Sequence, residues 1–164
     1  MKPQDIIILA TMCEPHQDPW TQKELSAKLK ISQAEISYGL NRMEKSKLYD
    51  KKNQTVFIHG FLEFLRYGLP YVFPAERDQD KIGIPLMELD GMHSTKKMVW
   101  AYENGTIVGS SVTPLFYEKI PEAIVNDNYL RQVVSCIEWL RIGSVREKDI
   151  AFTSLKVLWA DYGK

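Results

Sequence analysis

Apolar residues recur at helical spacing in the first third of the chain and predict three short helices. The first is predicted over residues 2–12, with Pro3 near its first turn, and its apolar side chains cover the two helices that follow. The second is predicted from Gln22 to Leu29, with Leu25 and Leu29 on one face. The third is predicted from Gln33 to residue 45 or 46. Its inward residues are Ile36, Leu40 and Met43.

The starts of the second and third helices carry the same four-residue pattern. Thr21 is followed three residues later by Glu24, and Ser32 by Glu35, so both sites fit a capping box. Only residues 30–31 connect the two helices, and a turn this tight makes them cross at a steep angle. A generic helical hairpin in a protein core has the same spacing, so the pattern alone does not decide the function.

Two short β-forming stretches follow the third helix. Residues 48–49 and 55–58 flank the polar turn 50–54 and predict a small hairpin. Over residues 3–69, the order of three helices and a hairpin resembles winged helix-turn-helix transcription regulators of the MarR-like kind. That resemblance implies that the third helix enters the major groove of DNA and that the turn of the hairpin contacts the backbone.

The outward face of the third helix carries side chains suited to DNA. Asn pairs with adenine, Arg pairs with guanine or phosphate, and Ala or a Tyr edge contacts a thymine methyl group, whereas Lys suits phosphate. A solvent-exposed helix face is polar in any protein, which is the alternative interpretation. The predicted DNA-binding residues are Gln33, Ala34, Ser37, Tyr38, Asn41, Arg42 and Lys45, with Lys51 and Lys52 in the hairpin turn.

Charge is unevenly spread along a chain whose net charge is zero. Residues 19–59 contain eight Lys and Arg against four Asp and Glu, a local charge of +4. A local basic patch of this kind favours a DNA-contacting module attached to a second part of the protein.

The rest of the chain predicts a second part with less regular periodicity. A helix is predicted over residues 60–67 with Gly68 just past its end, followed by an irregular, proline-containing segment from 70 to 97. A hairpin is predicted over 99–108 because Asn104-Gly105 lies between β-forming residues. A short helix is predicted at 121–125, and longer helices are predicted over residues 129–141 and 144–161.

These predictions give an α+β fold in three parts: residues 1–69 as a winged-helix DNA-binding domain, 70–97 as a connecting segment, and 98–164 as a hairpin with two main helices. The last helix is apolar on much of its circumference, so we expect it to pair two copies of the chain. The alternative is that this helix only closes the core of its own chain. The residues predicted for this dimer or partner contact are Leu155, Leu158, Trp159 and Tyr162.

The predicted function is a sequence-specific DNA-binding transcription regulator that acts as a homodimer on double-stranded DNA. The alternative is a protein-interaction module on a winged-helix scaffold, such as an antitoxin-like protein that grips its partner through the 70–97 segment or the last helix. No enzyme, cofactor or metal site is predicted, because Cys13 and His16 have no second Cys/His pair to complete four ligands. Two cysteines and the lack of a long apolar run predict a cytoplasmic protein without a membrane span.

Overall fold

The N-terminal part of the protein consists of three helices and a two-stranded antiparallel hairpin. A computed structural model describes residues 1–15, 19–93, 96–117 and 120–162. The three predicted helices and the predicted hairpin are present within one or two residues of their expected bounds. They are α1 (Pro3–Met12), α2 (Gln22–Leu29), α3 (Gln33–Lys45), β1 (Tyr49–Asp50) and β2 (Thr55–Val56).

Helix α1 forms the centre of this part. Every residue from Asp5 to Met12 is buried, and the helix contacts both α2 and α3, as its apolar sequence predicted. Gly39 of α3 lies where α1 crosses it, because a Cβ atom there would come within 2.8 Å of Ile8 Cδ1 and 3.0 Å of Asp5 Oδ1. The close approach of α1 therefore fixes the position of α3.

The helix after the hairpin continues past the predicted end at Gly68, so that prediction was wrong. It consists of α4 (Ile58–Glu63), a π-helical stretch (Phe64–Gly68) and α5 (Leu69–Val72). Pro70 lacks an N–H and its ring crowds the carbonyl four residues earlier, and a wider turn relieves this crowding. The Leu69 N–H accordingly bonds to the Phe64 carbonyl, five residues back. The predicted domain boundary at residues 69–70 thus falls inside a helical segment.

The segment predicted to be irregular contains the longest strand among the described residues. Strand β3 (Arg77–Pro85) pairs antiparallel with both β4 (Met98–Ala101) and β5 (Ile107–Val112), and β4 also pairs with β5 in parallel. The three strands therefore close on themselves and form a small barrel. Most of β3 is exposed, which explains why its sequence lacks the apolar alternation of a half-buried strand.

The hairpin predicted over residues 99–108 is wrong, because β4 and β5 run parallel. A two-residue Asn-Gly hairpin turn needs positive φ at both residues, and neither Asn104 nor Gly105 has it. Glycines instead allow close approach of the chain. A Cβ on Gly83 would lie 1.9 Å from the Trp100 carbonyl oxygen, and one on Gly105 would lie 2.5 Å from the Gly83 backbone.

The C-terminal part consists of α6 (Ile120–Ile124), α7 (Asn128–Ile142) and α8 (Val145–Leu158). Helix α7 is central, since all its residues from Val133 to Leu140 are buried and it contacts α1, α5, α6 and α8. The buried apolar residues from α1 to α8 form one continuous cluster. The two predicted domains therefore share a core.

A buried ion pair fastens two loops to α7. The Glu138 carboxylate accepts hydrogen bonds from the Leu115 N–H (2.8 Å) and from Arg141 Nη1 (2.5 Å). Arg141 also donates to the carbonyls of Phe73 (2.9 Å) and Pro74 (3.0 Å). Burial raises the pKa of Glu138, and the charge of Arg141 opposes that rise. The pair satisfies backbone groups in the chain turns that cross this helix.

The fold as a whole is α+β, as predicted, with helices predominating over small sheets. Among the described residues, no helix combines the length and the apolar character needed to cross a membrane.

Candidate nucleic-acid interface

Two capped helix starts position α3 relative to α2. Thr21 Oγ1 accepts from the Glu24 N–H (3.2 Å), and the Glu24 carboxylate accepts from the Thr21 N–H (2.8 Å), which completes the first predicted capping box. At the second start, Ser32 Oγ accepts from the Glu35 N–H (3.2 Å), but Glu35 does not return the bond. Its carboxylate turns to Lys2 and Gln4 at the start of α1. The second box is therefore only half formed, because the Glu35 carboxylate bonds to the start of α1 instead of to the Ser32 N–H.

The face of α3 that points away from the core is polar and accessible. The Tyr38 side chain is 58% exposed, while Ser37 and Asn41 are half-buried at its edges. Ile36, Leu40 and Met43 are buried on the opposite face, as predicted. The remaining predicted residues on the accessible face are Gln33, Ala34 and Lys45, all of them exposed.

Arg42 corrects the prediction for this face, because it is held by α1 instead of pointing freely outward. Its Nε and Nη2 donate to the two carboxylate oxygens of Asp5, at 2.8 and 2.6 Å. Asp5 is fully buried, and it also accepts from the Lys2 N–H at 2.7 Å. The hydrogen bonds to Asp5 raise the pKa of Arg42. Both Asp5 oxygens thus accept from the guanidinium, so Arg42 joins α3 to α1 and does not extend freely from the accessible face.

The sequence did not lead us to predict that Asp5 pairs with a basic residue, although its position gives a signal. It stands in the first turn of an otherwise apolar helix, and a buried acid in such a place needs a basic or N–H partner. Nothing in the spacing of α1 and α3 identified Arg42 as that partner, because 37 residues separate the two.

The β1–β2 hairpin places two lysines beside the accessible face of α3. Lys51 Nζ donates to Asn41 Oδ1 at 2.8 Å, which links the hairpin turn directly to the helix. Asp50 accepts from the N–H groups of Asn53 and Lys52, and these bonds, with the Asn53 amide, lower its pKa. Lys51 and Lys52 are both exposed. The turn is therefore ordered by its own carboxylate and presents two ammonium groups.

Acids elsewhere in the fold neutralise part of the predicted positive charge. Lys28 pairs with Glu14 at 3.0 Å and also with Asp127, and Lys30 pairs with Glu122 at 3.4 Å. Burial alone would lower the pKa of Lys28, but its hydrogen bonds to the two acids raise it overall. With Arg42 paired to an acid of α1, three of the eight basic residues are neutralised from outside the segment. The positive charge is thus confined to a smaller area than predicted.

Two of the residues predicted to contact a second copy belong instead to the chain's own core. Leu155 is fully buried and Trp159 is 3% exposed. The Trp159 ring stacks on Phe61 with centroids 5.5 Å apart, and its indole N–H donates to the Tyr129 hydroxyl at 2.9 Å. The Tyr162 hydroxyl accepts from the Val56 N–H at 2.9 Å. The apolar stripe of α8 therefore packs against α4 and the hairpin, and leaves Leu158 only partly accessible.

The opposite face of α8 is the accessible one. Val145 and Val157 are 81% and 72% exposed, and a groove of about 810 Å³ runs between them. Gln132 of α7 and Asp90 also line this groove. The sequence pattern missed this face because isolated valines among polar residues do not form an apolar stripe.

The two cysteines are buried and unpaired. Burial raises the pKa of Cys136 to about 12, and the pKa of the Cys13 thiol is shifted in the same direction. His16, the second residue of the Cys13–His16 spacing, lies outside the described residues. Within the ranges that the structure describes, no three His, Cys, Asp or Glu side chains are grouped to hold a metal ion.

Comparison of the chain with protein-family models, with curated proteins and with solved structures finds no match. Any assignment of function therefore rests on the residues and the geometry described above.

Proposed function

We propose that this protein is a sequence-specific DNA-binding transcription regulator whose α2–α3 unit is a helix-turn-helix and whose β1–β2 hairpin is the wing. The observation that carries the proposal is the link between Lys51 and Asn41. It joins the hairpin turn to the accessible face of α3, so that one continuous surface offers base-reading amide and hydroxyl groups beside ammonium groups. The order of three helices and a hairpin resembles that of MarR-like winged helix-turn-helix regulators, and this resemblance supports the proposal.

In the proposed complex, α3 lies in the major groove with its accessible face against the bases. The Asn41 amide pairs with adenine once Lys51 turns to a phosphate, while Ala34 and Tyr38 contact thymine methyl groups. Gln33 and Ser37 supply hydrogen bonds to base edges or phosphates. Lys45, Lys51 and Lys52 bind the backbone and contribute affinity that does not depend on sequence. Arg42 supports the geometry of α3 through Asp5.

We further propose that two copies bind neighbouring half-sites, about one helical turn apart. A single helix and a two-lysine wing make few phosphate contacts, so one copy binds weakly. The accessible face of α8, with Val145 and Val157, is the surface that supports pairing, in place of the buried stripe. A cytoplasmic location is part of the same proposal, since both described thiols are free.

The groove along α8 also supports a second candidate function, in which the protein binds a partner protein in the manner of an antitoxin. Its volume and its exposed valines suit a partner helix. The two functions differ in their response to salt, because DNA binding weakens steeply with added salt and an apolar contact does not.

Selection from random-sequence DNA followed by mobility shift tests the proposal. We expect a defined site to emerge, and we expect Asn41→Ala to lose about 1–3 kcal/mol of affinity for it together with base preference at one position. Lys148→Ala, on the distant helix α8, is the matched control and keeps the parent affinity. A selection that yields no enriched site, or an Asn41→Ala variant that binds the site like the parent, refutes the assignment.

A further inference from the structure

A cavity of about 290 Å³ lies between the small barrel and the start of α7, away from α3 and the hairpin. Ile84 and Pro85 of β3 form one wall, Ile107 of β5 another, and Val125 the rim. Gly83 and Gly105 allow the 102–106 loop to pass directly over β3, since a Cβ on Gly105 would clash with the Gly83 backbone at 2.5 Å. The walls of the cavity are therefore apolar and set by a close backbone contact.

A single cationic side chain reaches into this cavity. Arg131, in the first turn of α7, donates from Nη2 to the Pro85 carbonyl oxygen at 3.2 Å. Its Nε is buried and has no hydrogen-bond partner. Among the residues that the structure describes, no carboxylate pairs with this guanidinium, whereas Arg42, Arg66 and Arg141 each pair with one. A buried N–H of a charged group without a partner is unfavourable, so the site is incomplete as it stands.

Two further polar side chains of the cavity are also available to a ligand. Asn104 and Thr106 line it, and within the described ranges their side chains make no hydrogen bond to the protein. An amide N–H₂ and a hydroxyl donate as readily as they accept. The Asn104 amide, the Thr106 hydroxyl and the Arg131 guanidinium together form a set of hydrogen-bond donors on one side of an apolar cavity. A planar carboxylate accepts two parallel hydrogen bonds from a guanidinium. A lysine ammonium is a point charge and lacks this paired geometry, so the arginine favours a carboxylate as its ligand.

We propose that this cavity binds a small organic carboxylate with an apolar body, its carboxylate on Arg131 and its body against Ile84, Pro85 and Ile107. The volume lies just below the range for ligand sites of about 300–1,000 Å³, so the cavity suits a ligand with one small apolar group. This inference does not depend on DNA binding, since neither α3 nor the hairpin lines the cavity.

Calorimetric titration of the full chain with benzoate tests the proposal, with benzamide as a neutral probe of the same shape and inorganic phosphate as an anion without an apolar body. We expect saturable binding of benzoate with a Kd on the order of 1 mM or below. Benzamide and phosphate should each bind at least about tenfold more weakly, because each lacks one of the two features that the cavity recognises.

Variants locate the bound carboxylate. Arg131→Met should weaken benzoate binding about tenfold or more, whereas Arg146→Met, on the distant helix α8, should leave it unchanged. If Arg131→Met does not fold, the double change Asn104→Ala and Thr106→Val at the cavity mouth, where both residues are exposed, is measured in its place and should weaken binding about threefold or more. The proposal is overturned by the absence of saturable benzoate binding, by equal affinity for benzamide or phosphate, or by unchanged affinity in the variant that folds.

Discussion

The ion pair between Asp5 and Arg42 predicts an unequal cost for removing either partner. Arg42→Ala leaves a carboxylate that is fully buried with no charged partner, whereas Asp5→Ala leaves an arginine whose side chain is already 27% exposed and turns to water. Removing one partner of a buried ion pair lowers the free energy of unfolding by about 3–5 kcal/mol when the charge that remains stays buried. Partial exposure of the pair places Arg42→Ala at the lower end, about 3 kcal/mol.

Asp5→Ala removes two charge-assisted hydrogen bonds and the acceptor for the Lys2 N–H at the start of α1. A charge-assisted bond contributes about 1.5–3 kcal/mol, and a cap about 1 kcal/mol. Rehydration of the freed guanidinium offsets much of this loss, which leaves a net cost of about 2 kcal/mol. The double variant should then cost no more than Arg42→Ala alone, because the unpaired buried acid is gone.

Urea unfolding followed by circular dichroism measures these costs, with Lys45→Ala as the control. Lys45 is exposed on the same helix, and its replacement should change the free energy of unfolding by less than about 0.5 kcal/mol. If Arg42→Ala is as stable as the control variant, Arg42 does not hold α1 to α3. The correction to its role would then fail, and Arg42 would return to the candidate base-contacting residues.

Three further predictions address the cap, a charged cluster and the assembly. Ser32→Ala should cost about 0.5–2 kcal/mol of stability in urea unfolding, since it removes the side-chain cap at the start of α3, and an unchanged midpoint would contradict that assignment. The pKa of Lys28 is raised, so its two ion pairs stabilise the fold fully below the ordinary lysine pKa of 10.5, and this stabilisation is lost as the pH rises through the pKa of the folded state. The free energy of unfolding should therefore fall above about pH 10.5 in the parent, and fall less in Lys28→Met. Parallel pH profiles of the two proteins would refute this. Val157→Glu should convert a dimer to a folded monomer in light scattering, and a parent that is monomeric at tens of micromolar would exclude pairing through α8.

The N-terminal helices could be predicted because local rules and tertiary packing agree there. The caps at Thr21 and Ser32 and the period of Ile36, Leu40 and Met43 are local signals, and the fold uses each of them. The ion pair between α1 and α3 is not local. It joins residues 37 positions apart, so the helical pattern that placed the arginine on a polar face could not show that α1 reaches it.

The barrel could not be predicted for a different physical reason. Strand β3 is exposed along most of its length and is held by backbone hydrogen bonds to strands on both sides, which leave no trace in side-chain alternation. Asn104-Gly105 favoured a hairpin, but Gly105 serves to let the loop cross Gly83. The same glycine signal therefore had two physical explanations, and only the tertiary contact distinguishes them.

The stripe on α8 shows the limit of inferring an interface from apolar excess. Leu155 and Trp159 have the spacing of a pairing surface, yet Phe61 and Tyr129 occupy that surface within the same chain. Apolar spacing predicts that a face is covered, and it does not tell whether a second copy or the chain itself covers it.

The salt dependence of DNA binding tests the central claim most directly. The affinity of the parent for its selected site should fall steeply with added salt, and replacing Lys51 and Lys52 together with alanine should reduce the slope of log K against log salt by about 0.9 for each phosphate that the two lysines neutralise. Replacing Lys148 and Lys156, which lie on α8, should leave the slope unchanged. A double Lys51/Lys52 variant with the parent slope would contradict the proposed interface of α3 and the hairpin.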